Sequence, residues 1–122
     1  MAQSFRDLHV WQRSMQLTVA IYHLTRDFPR KEQYGLTSQT RRSAVSIPSN
    51  IAEGQGRQNT REFWQFLSVA RGSNCELQAQ LEITRALQMG SPEAIHHAES
   101  LSHEVGKMLF AMQATLKAKS SA

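Results

Sequence analysis

Apolar residues in this chain recur every three or four positions along four separate stretches, and nowhere do they alternate like a strand. A period near 3.6 lines one face of a helix, whereas a half-buried strand needs a period of two. The stretches span about residues 8–25, 36–53, 61–87 and 92–118, with turn signals between them. Four helices joined by short turns bury their stripes most simply as an up-down-up-down bundle. The chain has 122 residues and no repeat, low-complexity run or long linker. The expectation is therefore one all-α domain over 1–122.

Each boundary has its own signal. Asp7 stands where it can cap the first helix, and Phe28-Pro29 follows its end. Along that helix Leu8, Trp11 and Met15 form one stripe and Leu17, Ile21 and Leu24 another. Doubled apolar coverage predicts an intermolecular contact through Trp11 and Met15 besides the bundle core. In the second segment Gly54 and Gly56 are read as the stop. Pro48 lies inside it with Val45, Ile47 and Ile51 on both sides, so a kinked helix is expected. The proline deprives the Ala44 carbonyl of its helical donor, and Ser49 or Asn50 is expected to help satisfy the freed backbone. Asn59 or Thr60 caps the third segment, where Gly72 beside Ser73 suggests close approach by a neighbouring helix. Ser91-Pro92-Glu93 is the cleanest start, giving a cap, a first-turn proline and a first-turn acid.

Composition excludes several classes. The one cysteine, Cys75, makes no internal disulfide and is expected as a buried, inert thiol. The N-terminus has no apolar core of a secretory signal, and no stretch approaches a membrane span, so a soluble cytoplasmic protein is expected. Charge is segregated. Residues 1–61 carry nine cations against four carboxylates, a balance of +5, and residues 62–106 carry two against six, a balance of −4. Ten of the fourteen basic residues are arginine, the better donor to planar and phosphate acceptors.

Three constellations bear on chemistry. Gly54-Gln55-Gly56-Arg57 precedes a helix start, but it lacks the third glycine of a dinucleotide fingerprint and the Gly-Lys-Ser/Thr of a P-loop. Arg57 and Arg61 there are candidates for a nucleic-acid backbone contact. Arg41 and Arg42, adjacent on a helix, point about 100° apart. One is free to face a partner while the other pairs inside, with Glu53 as a possible counter-charge. A di-iron bundle needs Glu-x-x-His on two helices, and Glu93-x-x-His96 matches only once. Glu99 and His103 share a face, while His9 and His23 lack the preceding glutamate. No catalytic residue, metal or cofactor is expected.

A longer string is specific. Asp7-Leu8 with Trp11, Phe28-Pro29, and the run from Tyr34-Gly35-Leu36 through Arg41-Arg42-Ser43-Ala44-Val45-Ser46-Ile47-Pro48-Ser49-Asn50-Ile51-Ala52-Glu53-Gly54 resemble the bacterial 23S rRNA intervening-sequence family. Glu62-Phe63, Phe66-Leu67, Gly72-Ser73 and Glu76-Leu77 continue the likeness over roughly residues 5–87, and the last helix carries no comparable signature. Pro48, Asn50, Glu53 and Gly54 belong to the matching string. The resemblance implies a ring-shaped homopentamer of four-helix bundles and supplies no catalytic residues. A related branch, the accessory proteins of diversity-generating retroelements, implies nucleic acid and a reverse transcriptase as partners. Two departures polarise the bundle: Thr40 stands where an aliphatic residue is common, and Asn74 where leucine is usual.

These readings converge on a non-enzymatic homo-oligomer, pentameric by resemblance, that binds RNA or DNA through Arg41, Arg42, Arg57 and Arg61. The alternative is a protein-interaction scaffold acting through apolar outer helix faces. A metal-binding bundle enzyme is a distant third.

Overall fold

The four apolar stripes become four helices, α1 (His9–Thr25), α2 (Leu36–Gly56), α3 (Thr60–Ala86) and α4 (Pro92–Ser121). The computed structural model describes residues 4–121, and among these there is no strand. Leu17, Ile21, Ile47, Ile51, Leu67, Leu77, Leu81 and Leu109 are fully buried and face one another across a shared core. Each helix packs on its neighbours in the chain, and α1 closes the ring against α4. Side-chain ties place residue numbers in opposing order between neighbours. Thr18 meets Ala44 and Thr25 meets Arg41, Ser43 meets Glu76 and Ser46 meets Ser73, and Arg85 meets Glu99 while Ser68 meets Gln113.

Asp7 does not cap α1. It lies in a 3₁₀ turn, Phe5–Asp7, where its amide bonds the Ser4 carbonyl at 3.0 Å and Ser4 is the capping residue. Leu8 holds the N-cap position of α1 and offers no side-chain oxygen. Phe5 packs edge-to-face on Trp11 at 5.0 Å, and Asp7 ends the 3₁₀ turn one residue before the N-cap position.

Gly54 does not stop α2. The helix runs through Pro48 and Gly54 to Gly56, and the chain reverses at Gln58, whose φ is 55°. Gly54 is buried because α3 lies almost on its backbone: a Cβ there would sit 2.6 Å from Phe66 Cβ and 2.9 Å from Phe63 Cδ1. The close approach expected at Gly72 is absent, with open space where its side chain would be. The donor for the Ala44 carbonyl comes from α1 rather than from Ser49 or Asn50. Thr18 Oγ1 lies 3.2 Å from that carbonyl and shares its proton with the Ser14 carbonyl at 2.9 Å. Ser49 and Asn50 instead donate to the carbonyls of Val45 and Ser46, at 2.8 and 2.7 Å.

Asn59 caps α3 by accepting the Glu62 amide at 2.9 Å. Ser91 caps α4 by accepting the Ala94 amide at 3.0 Å, with Pro92 as the first helical residue. Between these helices Gly90, at φ 73°, takes a left-handed conformation that glycine adopts without steric cost. Cys75 is exposed, not buried, because Asn74 and Leu77 occupy the inward face of α3 around it.

Candidate nucleic-acid interface

The four arginines singled out in the sequence fall at two ends of α2 rather than at one site. At 1.5 Å per residue, the sixteen positions from Arg41 to Arg57 separate them by about 24 Å. Arg41 is braced. Its Nε donates to Thr25 Oγ1 at 2.8 Å and its guanidinium lies 4.5 Å above the Tyr22 ring. Arg42, one residue on, is exposed and has no ion pair among the described residues.

At the other end Arg57 is engaged by Glu53 at 3.0 Å and by Glu62 at 4.0 Å, and it covers the Phe66 ring. Glu53 thus serves Arg57 and not the Arg41-Arg42 pair, which lies about three turns away along the same helix. Arg61 is exposed and without an ion pair among the described residues. It lines a shallow groove of about 370 Å³ with Trp64, Gln65 and Lys117. Pro48 is buried, and Asn50 ties back to both the carbonyl and the hydroxyl of Ser46. Both residues act within α2, Pro48 in its buried face and Asn50 through its Nδ2.

The residues expected at an intermolecular contact divide likewise. Trp11 is half-buried against Phe5 and the core edge. Met15 is 38% exposed and continues into Val19 at 48% and Tyr22 at 41%, an apolar stripe along the outer face of α1. Met15, Val19 and Ala20 also form one wall of an open groove of about 600 Å³, with Ala94 and Leu101 of α4 opposite and His23 and His97 at its rim.

Metal-ligating groups do not gather. Among the described residues no three His, Cys, Asp or Glu side chains form a cluster able to hold an ion. Glu99 is taken up by Arg85, whose guanidinium grips it at 2.5 and 2.7 Å. Those hydrogen bonds hold the Glu99 carboxyl below its ordinary range against the opposing effect of burial, with His103 and His96 adding smaller Coulombic pulls. No helix among the described residues is long and apolar enough to cross a membrane.

Residues 6–111 match the family described as 23S rRNA-intervening sequence protein. The chain belongs to that family. The match takes in α1, α2, α3 and two thirds of α4, so it reaches beyond residue 87, where the sequence likeness alone fades. A solved structure of a protein of unknown function from the S23 ribosomal protein family of Bacteroides thetaiotaomicron is similar, with a TM-score of 0.79. It is 24% identical and the alignment covers 86% of this chain and 95% of that one, a likeness of fold. No functionally curated protein matches the chain.

Two further basic residues, which the sequence pattern does not single out, line a groove with Arg41. Arg26 and Arg30 flank Arg41 in a groove between the end of α1 and the start of α2. The only signal for them in the sequence is their density: with Lys31 they put three cations around Phe28-Pro29.

Proposed function

We propose that the protein is a non-enzymatic homo-oligomer that binds RNA or DNA through the phosphate backbone. The observation that carries this reading is the uncompensated charge. Arg26, Arg30, Lys31, Arg42 and Arg61 are exposed and carry no ion pair among the described residues, while most glutamates lie on the later helices. Rotational symmetry repeats each of these cations around an axis and turns a modest subunit charge into a basic band. The exposed Met15-Val19-Tyr22 stripe supports self-association, and the family resemblance favours five subunits. Where a neighbouring gene encodes a reverse transcriptase, that enzyme is the partner this reading proposes.

Backbone contact fits better than base readout. Phe63 and Phe66 pack against α2, and the exposed aromatics Tyr22, Tyr34, Trp64 and Phe110 are spread over α1, the α1–α2 connection, α3 and α4 rather than set along one element as successive stacking platforms. The test is anisotropy with mixed-sequence RNA and duplex DNA across a salt series, with mass by light scattering alongside. Binding that falls steeply with salt is expected, and Arg42→Gln/Arg61→Gln should flatten the slope by about 0.7–0.9 for each phosphate no longer neutralised. No binding at ~50 mM salt, where the electrostatic attraction is strong, ends the nucleic-acid reading. A second reading rests on the apolar α1–α4 groove: a protein scaffold whose associations, unlike phosphate contacts, survive high salt.

A further inference from the structure

We propose that the groove between the end of α1 and the start of α2 is a phosphate-binding site built from Arg26, Arg30 and Arg41, an assignment that rests on the nucleic-acid reading when the phosphate belongs to a strand. The groove has a volume of about 270 Å³, and Thr25, Gln33 and Thr37 complete its polar lining. No carboxylate lines it. Glu32, which is near in sequence, directs its Oε1 to the Leu36 amide at 3.1 Å and so caps α2. Three arginines therefore line one depression whose lining holds no carboxylate.

Helix dipoles do not supply the missing negative charge. The C-terminus of α1 offers about half an elementary charge of the right sign, but the N-terminus of α2 offers about as much of the wrong one. A bound oxyanion supplies the counter-charge that the lining lacks. Its class follows from the donors. Arg41 is already oriented, because Nε is fixed on Thr25 and the plane is stacked on Tyr22. Neither of its terminal nitrogens has a protein acceptor among the described residues. A guanidinium held this way presents a two-pronged edge at little further entropic cost. Arg26 and Arg30 are exposed and line the same groove, where they supply further donors to an anion seated beside Arg41. A carboxylate offers two oxygens in one plane, whereas a tetrahedral phosphate offers acceptors to all three arginines.

A phosphodiester in an RNA or DNA strand and free inorganic phosphate present the same chemistry, and two arms of one experiment separate them. Isotope-labelled full-length protein is titrated with inorganic phosphate, and with acetate at matched ionic strength, while amide and arginine Nε–H resonances are followed. The same protein is tested by anisotropy against mixed-sequence RNA. Saturable shifts confined to residues 25–41, given by phosphate and not acetate, are expected. Arg26→Gln/Arg30→Gln should abolish them and lower the RNA salt slope by up to about 0.7 for each phosphate released. Arg41 is left intact because it braces α1 on α2, and Arg42→Gln/Arg61→Gln, outside the groove, should keep the phosphate shifts. Absence of saturable shifts in the wild type overturns the site, whatever RNA does. Saturable shifts with an unchanged RNA slope in Arg26→Gln/Arg30→Gln retain the site and assign it to free phosphate. Wild-type protein that takes phosphate but no RNA refutes the nucleic-acid reading and leaves the site standing.

Discussion

Asn74 and Ser102 hold each other across the bundle through two reciprocal hydrogen bonds, Ser102 Oγ to Asn74 Oδ1 at 2.7 Å and Asn74 Nδ2 to the Ser102 carbonyl at 2.9 Å. Ser102 Oγ also accepts Gln78 Nε2 at 2.9 Å, so the buried hydroxyl is satisfied as both donor and acceptor. An unpaired polar group in such a place costs about 1–3 kcal/mol. Asn74→Ala strands the Ser102 hydroxyl and should lose about that much in urea denaturation at fixed protein concentration. Asn74→Leu with Ser102→Ala removes both partners and should recover most of the loss, because the apolar pair leaves neither of them unsatisfied and Gln78, only half-buried, can turn its freed amide to water.

Thr18 and Pro48 should be coupled although they do not bond each other. Pro48 has no amide for the Ala44 carbonyl, and Thr18 Oγ1 partly takes its place. Thr18→Val should cost about 0.5–1.5 kcal/mol in the wild type. Beside Pro48→Ala, where residue 48 regains its amide, the same change should cost less. A double-mutant cycle by chemical denaturation reads this, and a coupling below about 0.3 kcal/mol means that Thr18 does not serve the proline site.

Gly54 and Gly72 should respond in opposite senses to alanine. Gly54→Ala drives a methyl into Phe66 Cβ, backbone-near and unable to swing aside, and overpacking of this kind costs about 1–3 kcal/mol. Gly72→Ala meets nothing within 4 Å and removes a helix-interior glycine, a gain of about 0.5–1 kcal/mol. Thermal melts of the two variants at equal concentration decide it.

The same pair of glycines marks where sequence is legible and where it is not. The four helices, the Ser91 cap and the burial of Leu17, Leu77 and Leu81 follow from period and punctuation, which are local. A glycine's role is not local: Gly54 resembles a stop because a second glycine follows it, and only the position of Phe66 on another helix shows why Gly54 has no side chain. Asn59 with Glu62 three residues on is a readable cap signature, masked by Thr60, a second capping residue type with Phe63 in the matching place. Among the arginines, the sequence places Arg41 beside Arg42 but cannot show that Thr25 and Tyr22 hold it, or that Arg26 and Arg30 share its groove. Those are meetings of segments separated by a turn and a helix start.

The Arg85–Glu99 tie between α3 and α4 should make stability depend on acid. Glu99 is the more covered partner, its side chain 19% exposed against 47% for Arg85. Arg85's hydrogen bonds are the main cause that lowers the Glu99 carboxyl below its ordinary value of 4.5, and the raised Arg85 value reflects the same contact. A carboxyl with a depressed folded-state value binds its proton more weakly in the folded chain than in the unfolded one. Its contribution is therefore complete above about pH 4.5 and declines as pH falls through the lower folded-state value. Glu99→Gln should lower the melting temperature at pH 7, and the gap from wild type should close as pH falls below about 4.5. Arg85→Gln should reproduce that pattern. Glu82→Gln should have a smaller effect, since Glu82 is 71% exposed and meets Arg85 through a single bond at 3.1 Å. Melts at pH 7, 5 and 3 give the answer: a Glu99→Gln gap that stays constant over that range means the bidentate contact contributes no charge-dependent stability.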